Sequence, residues 1–314
     1  MMRTNAKSRA ARAREIAVRV PASTANLGAG FDCFALALEL YLEVRARIAP
    51  DKIKTGRVAV SGEGAVSLPA GGDNLILRAM QFVAEREGFI LPPLSLDVRN
   101  AIPLCRGLGS SGAAIVAGAV LGAAIARKKI PSEKLLRYAA ELEGHADNVA
   151  AALLGGWVTI ATSADGPIVV RQSWPGEIRA VVVSPDAQVD THKAREFLAK
   201  EISREDAVFN LQRAALFGAA LAKRRYDLLG EAMRDRLHQP QRQSLVPGLA
   251  EALAIPPQPG LLGVALSGSG PSVLALATAR HKEIGAAIVA AFAQHGVRAA
   301  ARILAIDAKG AQIL

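Results

Sequence analysis

Hydrophobic and polar positions change period along this chain, and the period predicts where strands give way to helices. Residues 15–20 (Glu-Ile-Ala-Val-Arg-Val) read as a strand. Leu40, Leu42, Val44, Ala46 and Ile48 alternate with Tyr41, Glu43, Arg45 and Arg47, the period of a strand with one buried face. Shorter apolar runs at 57–60, 94–98, 158–161 and 168–171 predict further strands. Asp73-Asn74 offers a helix start with Gly88 as its stop, and Ser132–Glu143 predicts a helix ended by Gly144. The stretch 111–128 is small and apolar all round, which predicts a buried helix. It approaches the length of a membrane span, but Ala and Gly dominate where a span would carry Leu and Phe.

A second texture begins near Arg179. It predicts a strand over 179–184, then a helix that Thr191 can cap. Ser203-x-x-Asp206 has capping-box spacing, with Asp in place of Glu, before a helix reaching Arg225. Another helix is predicted over 226–237, two strands around Ser267-Gly-Ser-Gly-Pro271, a helix over 279–294 and a strand near 298–305. Strands and helices interleave without strict βα alternation, so the pattern predicts α+β in both halves. The expected division is a basic tail over 1–14, one domain over 15–167 and a second over 168–314.

Length and composition narrow the class. A chain of 314 residues, 51% of them hydrophobic, suits two globular domains with sizeable cores. The net charge is +10, and five positive charges precede the first acid, Glu15, so residues 1–14 read as a solvated extension. Aromatic residues are few and do not interleave with the basic ones, which argues against a platform for nucleic acid. No basic run is followed by the apolar core of a signal peptide, and no membrane partner is expected. Two cysteines without Cys-x-x-Cys, and five histidines without metal spacing, argue against a disulfide framework or a zinc site and for a reducing, cytoplasmic setting. The remaining positive excess suits anionic substrates such as ATP.

The chemistry concentrates in Pro103-Leu-Cys-Arg-Gly-Leu-Gly-Ser-Ser-Gly-Ala113, which runs into the buried helix. Gly107, Gly109 and Gly112 bare the backbone, and Ser110 and Ser111 stand where unpaired N–H groups and the helix dipole favour a phosphate. Residues 107–112 spell G-x-G-x-x-G, yet Pro103-Leu-Cys-Arg106 rather than a hydrophobic strand stands directly before them, and basic Arg127-Lys128-Lys129 follow where a dinucleotide fold needs an acid. Ala113 and Ala114 stand where a P-loop needs Lys and Ser or Thr. Three more segments carry polar groups at predicted element ends. In Val20–Phe34 the strand is expected to end at Pro21 and open onto Asn26, Gly28, Gly30 and Asp32. Glu141-Leu-Glu-Gly-His-Ala-Asp-Asn148 places carboxylates, an imidazole and an amide at a helix end, and Gly263–Ser272 is a glycine-serine turn between strands.

Together, in this order, the four segments resemble the GHMP kinases, named for galactokinase, homoserine kinase, mevalonate kinase and phosphomevalonate kinase. Pro103-x-x-x-Gly-Leu-Gly-Ser-Ser111 is similar to their central motif. Within the family the likeness is closest to the homoserine branch, carried by Ser23–Asp32, Glu143–Asn148, Thr191-x-x-x-Arg195 and Ser267–Pro271. The resemblance covers residues 15–305. It implies a two-domain α+β fold: a first half like the second domain of ribosomal protein S5, a ferredoxin-like second half and a cleft between them. It implies Mg-ATP as phosphoryl donor, with a mevalonate or diphosphocytidyl-methylerythritol kinase as the alternative to homoserine. By the same resemblance Pro103, Leu104, Cys105, Arg106, Gly107, Leu108, Gly109, Ser110, Ser111, Gly112 and Ala113 hold the nucleotide. Ser111 and Glu143 serve Mg²⁺, with Glu141 as rival.

Asn26, Asp32, His145, Asn148, Thr191, Arg195 and Arg242 form the expected L-homoserine site, and Asn148, Asp32 and Arg195 its catalytic set. Guanidinium groups suit a carboxylate bidentately, and an acid or amide suits an ammonium. Asn148 stands where mevalonate kinase relatives place an aspartate base, and an amide takes no proton at neutral pH. Catalysis by positioning and Mg²⁺ is therefore expected, with Asp147 as the candidate base to exclude. Gly112 replaces the family's usual alanine, which loosens the helix start by ~1 kcal/mol. The fold often pairs as homodimers, though no heptad or stripe in the sequence specifies one.

Overall fold

The computed structural model describes residues 14–48, 57–189 and 191–314. The first half contains β1 (Arg14–Ala25), β2 (Phe34–Ile48), β3 (Val58–Gly62), α1 (Leu75–Glu87), β4 (Leu94–Asn100), α2 (Ser110–Ile125), α3 (Ser132–Glu143), α4 (Asp147–Leu154), β5 (Trp157–Ser163) and β6 (Gly166–Gln172). The second contains β7 (Arg179–Pro185), α5 (Thr191–Glu196), α6 (Arg204–Ala222), α7 (Leu229–Ala232), α8 (Gln239–Arg242), α9 (Leu249–Leu253), β8 (Leu261–Leu266), β9 (Val273–Ala277), α10 (His281–Ala293) and β10 (Ala299–Leu304). A short β11 (Gln312–Ile313) ends the chain. Except for Arg14, the basic segment 1–14 lies outside the described residues. Arg14 already belongs to β1, and its guanidinium donates to the carbonyls of Ala124 and Ile125 where α2 ends.

β2 organises the first sheet. It runs antiparallel to β1 along Ala35–Leu38 and Tyr41–Ile48, to β4 along Leu42–Ile48 and to β5 along Phe34–Leu36. Its alternation buries Leu42, Val44 and Ala46 and exposes Arg45 and Arg47. The first strand does not stop at Pro21, as the sequence implied. A register shift between Pro21 and Ala22 absorbs the proline, and pairing continues to Ala25, carrying the chain into the site. Asn74 and Gly88 cap α1 as expected. α2 is buried all round. Gly118 lets α1 lie on α2, because a Cβ there would sit 2.3 Å from the Ile76 carbonyl oxygen.

The second sheet has strand order β10-β7-β9-β8, all antiparallel. With strands numbered along the chain this is 4-1-3-2, the ferredoxin-like arrangement. Both its faces are covered, which explains the unbroken apolar runs. Ala180 and Val182 join the core shared with the first half, while Val181 and Val183 face Ile284, Ile288 and Phe292 of α10.

Three expectations change here. β6 pairs with β5, so the 167/168 division falls inside a hairpin. Thr191 is the first residue of α5 rather than the one before it, where a capping residue belongs. The helix expected over 226–237 breaks after Ala232. Buried Asp235 accepts from the backbone N–H groups of Leu237, His238 and Gln239, offering them a partner that a continuous helix would supply from its own carbonyls.

The chain returns to the first sheet at its end, where β11 pairs with β1. Asp307 fastens this return. Its carboxylate accepts from Lys309 N at 2.8 Å, Gly310 N at 2.6 Å and the Tyr41 hydroxyl at 3.0 Å. Asp307→Ala is expected to lower unfolding stability by about 1–3 kcal/mol, because buried donors lose their acceptor. Chemical denaturation checks this, and an unchanged midpoint would show that the fastening contributes nothing.

Candidate active site

The elements converge on a cavity of about 670 Å³ between the two halves. One wall is the loop from Pro103 to Ser111 with the start of α2. Unlike α1 and α6, whose first turns are capped by Asn74 and Ser203, α2 starts at Gly109 with no side-chain cap. Its terminal N–H groups therefore remain for a ligand in the cavity. Gly107 and Gly109 both have left-handed φ, +73° and +65°. A Cβ on Gly107 would sit 2.0 Å from the Ser267 carbonyl oxygen, and one on Gly109 2.1 Å from Ser23 Oγ.

Ser111 Oγ donates to Glu143 Oε1 at 2.5 Å. Glu141 lies elsewhere, on the surface, paired with Arg86. His145 Nδ1 meets Asp147 Oδ1 at 2.6 Å, and the same oxygen accepts from Asn148 N at 2.6 Å and Asn148 Nδ2 at 3.2 Å. Burial opposes charge on His145, but the hydrogen bond to Asp147 and the charges of Asp147 and Glu143 outweigh it and raise its pKa above the ordinary histidine value. Asn148 Oδ1 accepts from Ser23 Oγ at 2.8 Å, so its amide is fixed at both ends.

The other wall comes from the Asn26–Asp32 loop and the second half. Asn26, Leu27 and Gly28 are all left-handed, a tight turn held by the Asn26 amide. That amide accepts from Asp32 N at 3.0 Å and donates to the Gly268 carbonyl at 2.9 Å. Asp32 and Arg195 form a two-point ion pair, 2.7 and 3.1 Å, and both are partly exposed. Arg242 is nearly buried and shares with Arg195 the ring of Phe31, at 5.6 and 5.7 Å. Burial, followed by the Arg195 charge, pushes the Arg242 pKa down to about 10.

The structure thus brings together Asn26, Asp32, His145, Asn148, Arg195, Arg242, Glu143 and the loop from Pro103 to Ser111. It does not bring in Gly112 and Ala113. Ala113 points into the core, and Gly112 packs behind the wall, where a Cβ would lie 3.2 Å from Asn148 Cβ. Alanine at 112 would gain helix propensity only by pressing on α4. The Thr191 side chain lies outside the described residues. Phe31, His238 and Asp235 were missed by sequence reasoning. His238 was visible in His238-Gln-Pro-Gln-Arg242, but nothing in the pattern says that its ring reaches the glycine turn.

Residues 74–156 match the N-terminal domain of GHMP kinases, and residues 219–298 match their C-terminal domain. The chain belongs to the GHMP kinase family. This GHMP kinase is 43% identical to a homoserine kinase of Desulfitobacterium hafniense over 302 residues, 95% of this chain and 100% of the relative. It is 41% identical to a homoserine kinase of Moorella thermoacetica over 298 residues, 95% and 99% of the two chains. A homoserine kinase structure from Cytophaga hutchinsonii superposes with TM-score 0.86 at 29% identity, covering 100% of both chains. A mevalonate kinase structure, at TM-score 0.70 and 14% identity over 93% of this chain and 99% of that one, shares the fold. Among the described residues no helix is long and apolar enough to cross a membrane.

The contact between Gly107 and Ser267 gives a direct test of how the glycine-rich loop from Pro103 to Ser111 is shaped. Gly107→Ala meets both the backbone collision and a left-handed penalty of about 1–2 kcal/mol. Gly144→Ala meets only the second, since nothing lies within 4 Å of a Cβ there. Gly107→Ala is expected to lower the melting temperature and weaken ATP retention far more than Gly144→Ala. Equal effects would mean that the contact does not shape the loop.

Proposed function

We propose that this chain is a homoserine kinase, transferring the γ-phosphoryl group of ATP to the side-chain hydroxyl of L-homoserine to give O-phospho-L-homoserine, a step toward threonine. The observation that carries the reading is one cavity joining an uncapped, glycine-lined helix start to an aspartate and two arginines. The naming of the full-length relatives supports it. An amino-acid zwitterion supplies the two charges such a cradle recognises, whereas mevalonate lacks the ammonium.

In this reading Asp32 takes the substrate ammonium, and Arg195 and Arg242 take the carboxylate. Asp32 and Arg195 now satisfy one another, so the zwitterion inserts its charges between them. The Asn26 amide is engaged with Asp32 and Gly268, so Asn26 shapes the loop rather than offering a loose donor. Ser111 and Glu143 present a hydroxyl and a carboxylate oxygen side by side beside the phosphate loop, a donor pair that fits Mg²⁺, which prefers hard oxygen ligands and few protein carboxylates. Bound there, Mg²⁺ would neutralise charge on the phosphates of ATP. The loop from Gly107 to Ser111 would cradle those phosphates through backbone N–H groups.

The substrate hydroxyl oxygen forms the new bond to phosphorus as the bond to ADP breaks, and its proton passes to an oxygen of the transferred phosphoryl group. Asn148 cannot take it. Asp147 Oδ1 already accepts from His145 and Asn148. We therefore assign Asp147 to holding the His145–Asn148 corner, with the rate arising from positioning and charge neutralisation.

ADP release under Mg-ATP is expected with L-homoserine and not with mevalonate or L-serine. Arg195→Ala is expected to raise KM for L-homoserine by roughly ten- to a hundredfold, the range for a lost hydrogen bond to a charged group. Turnover of another alcohol in place of homoserine would keep the family and overturn the substrate. Asp147→Asn is expected to lower kcat by no more than about tenfold. A fall of about 10²–10⁴, typical of a lost general base, with ATP binding intact would overturn the base-free reading.

A further inference from the structure

His238 is fully buried, yet it carries two ring nitrogens that need partners. Its Nε2 lies 2.9 Å from the Gly28 carbonyl oxygen, and its Nδ1 lies 3.3 Å from Arg242 Nη1. A carbonyl only accepts and a guanidinium only donates. These partners fix a single tautomer: Nε2–H donates to Gly28, and Nδ1 accepts from Arg242. A charged imidazolium would turn an N–H toward the guanidinium. Burial lowers the His238 pKa, as this geometry requires, and Arg242 also disfavours the charged form, against the opposing charges of Asp235 and Asp32.

The ring is held from every side. Phe31 stacks on it at 5.1 Å, and the Asp235 carboxylate lies 3.7 Å from Nε2 while accepting from the backbone N–H of His238. Asn210 braces Asp235 at 2.7 Å. Gln239, the next residue, accepts from Leu266 N just before the Ser267 turn. Arg242 also donates through Nε to the Ala194 carbonyl at 3.3 Å, beside Arg195, and through Nη1 to the Gly268 carbonyl at 3.4 Å. His238 therefore stands between the loop bearing Asp32 and the guanidinium of Arg242.

We propose that His238 is a positioning residue which, as a neutral imidazole in one tautomer, ties the Asn26–Asp32 loop to Arg242 and sets where that guanidinium meets the substrate carboxylate. It touches no reacting atom. It acts on homoserine affinity through Arg242, and the inference rests on the homoserine reading above.

The two ring contacts can be separated by substitution. His238→Asn keeps an acceptor near the Nδ1 position, and His238→Gln keeps a donor near Nε2. The wild-type enzyme is first assayed with Mg-ATP and L-homoserine, so that failure of the substrate reading is seen before any variant is compared. His238→Gln is expected to raise KM for L-homoserine about tenfold or more, with KM for ATP and kcat within about threefold. His238→Asn should recover most of the loss. In an Arg242→Ala background His238→Gln should add almost nothing, because the two act as one unit. A loss of equal size in that background, equal defects in both His238 variants, or a matching rise in KM for ATP would overturn the proposal. Nitrogen-15 spectra of histidine-labelled wild-type protein test it without substitution. Protonated Nε2 with unprotonated Nδ1 at neutral pH is expected, and the opposite tautomer or an imidazolium would overturn it.

Discussion

Two glycine-rich turns, one from each half of the molecule, meet backbone to backbone, and the cavity exists because they do. Ser267 Oγ donates to the Gly107 carbonyl at 2.6 Å and lies 2.8 Å from the Thr24 hydroxyl. Beside this contact Gly268 N donates to Ala25, and Ser23 N donates to Leu108. Three stretches far apart in sequence thus close on one another through main-chain groups, where a side chain at Gly107 would separate them. Sheet order, helix burial and the return of the C-terminal segment all hold these turns at that distance. Phosphate recognition by bare N–H groups needs the same property, a backbone that nothing covers.

The half-buried strand Leu40–Ile48 and the caps at Asn74, Gly88 and Ser203 were legible because each depends on neighbours a few residues away. The break after Ala232 was not, because Asp235 diverts the backbone only once it is buried beside Asn210. The bulge at Pro21 was missed for a similar reason. A proline reads as the end of a strand until a partner strand, here β2, accepts the register shift. β11 was invisible because two residues carry no period, and only the edge of β1 gives them meaning.

The candidate site divides along the same line. Residues within contiguous motifs, such as Ser111 and Asp32, could be nominated from their chemistry. The choice between Glu143 and Glu141 turns on which side of α3 faces the loop, and the pairing of Glu141 with Arg86 at the surface makes that difference visible. Phe31 and His238 matter through what they lie against, and aromatic or imidazole rings beside glycines carry no signature of that in one dimension.

The pairing of β11 with β1 also bears on how the chain is made. β1 is completed at its edge by residues far later in the chain. While a ribosome extends the chain, β1 and β2 can pair and the helices can settle on them, but one edge of that sheet stays unsealed until Gln312 and Ile313 emerge. Closing so long a loop adds little entropy per added residue, yet it comes late in time. The nascent first half therefore waits with an unpaired strand edge, and the arrival of β11 ends that exposure.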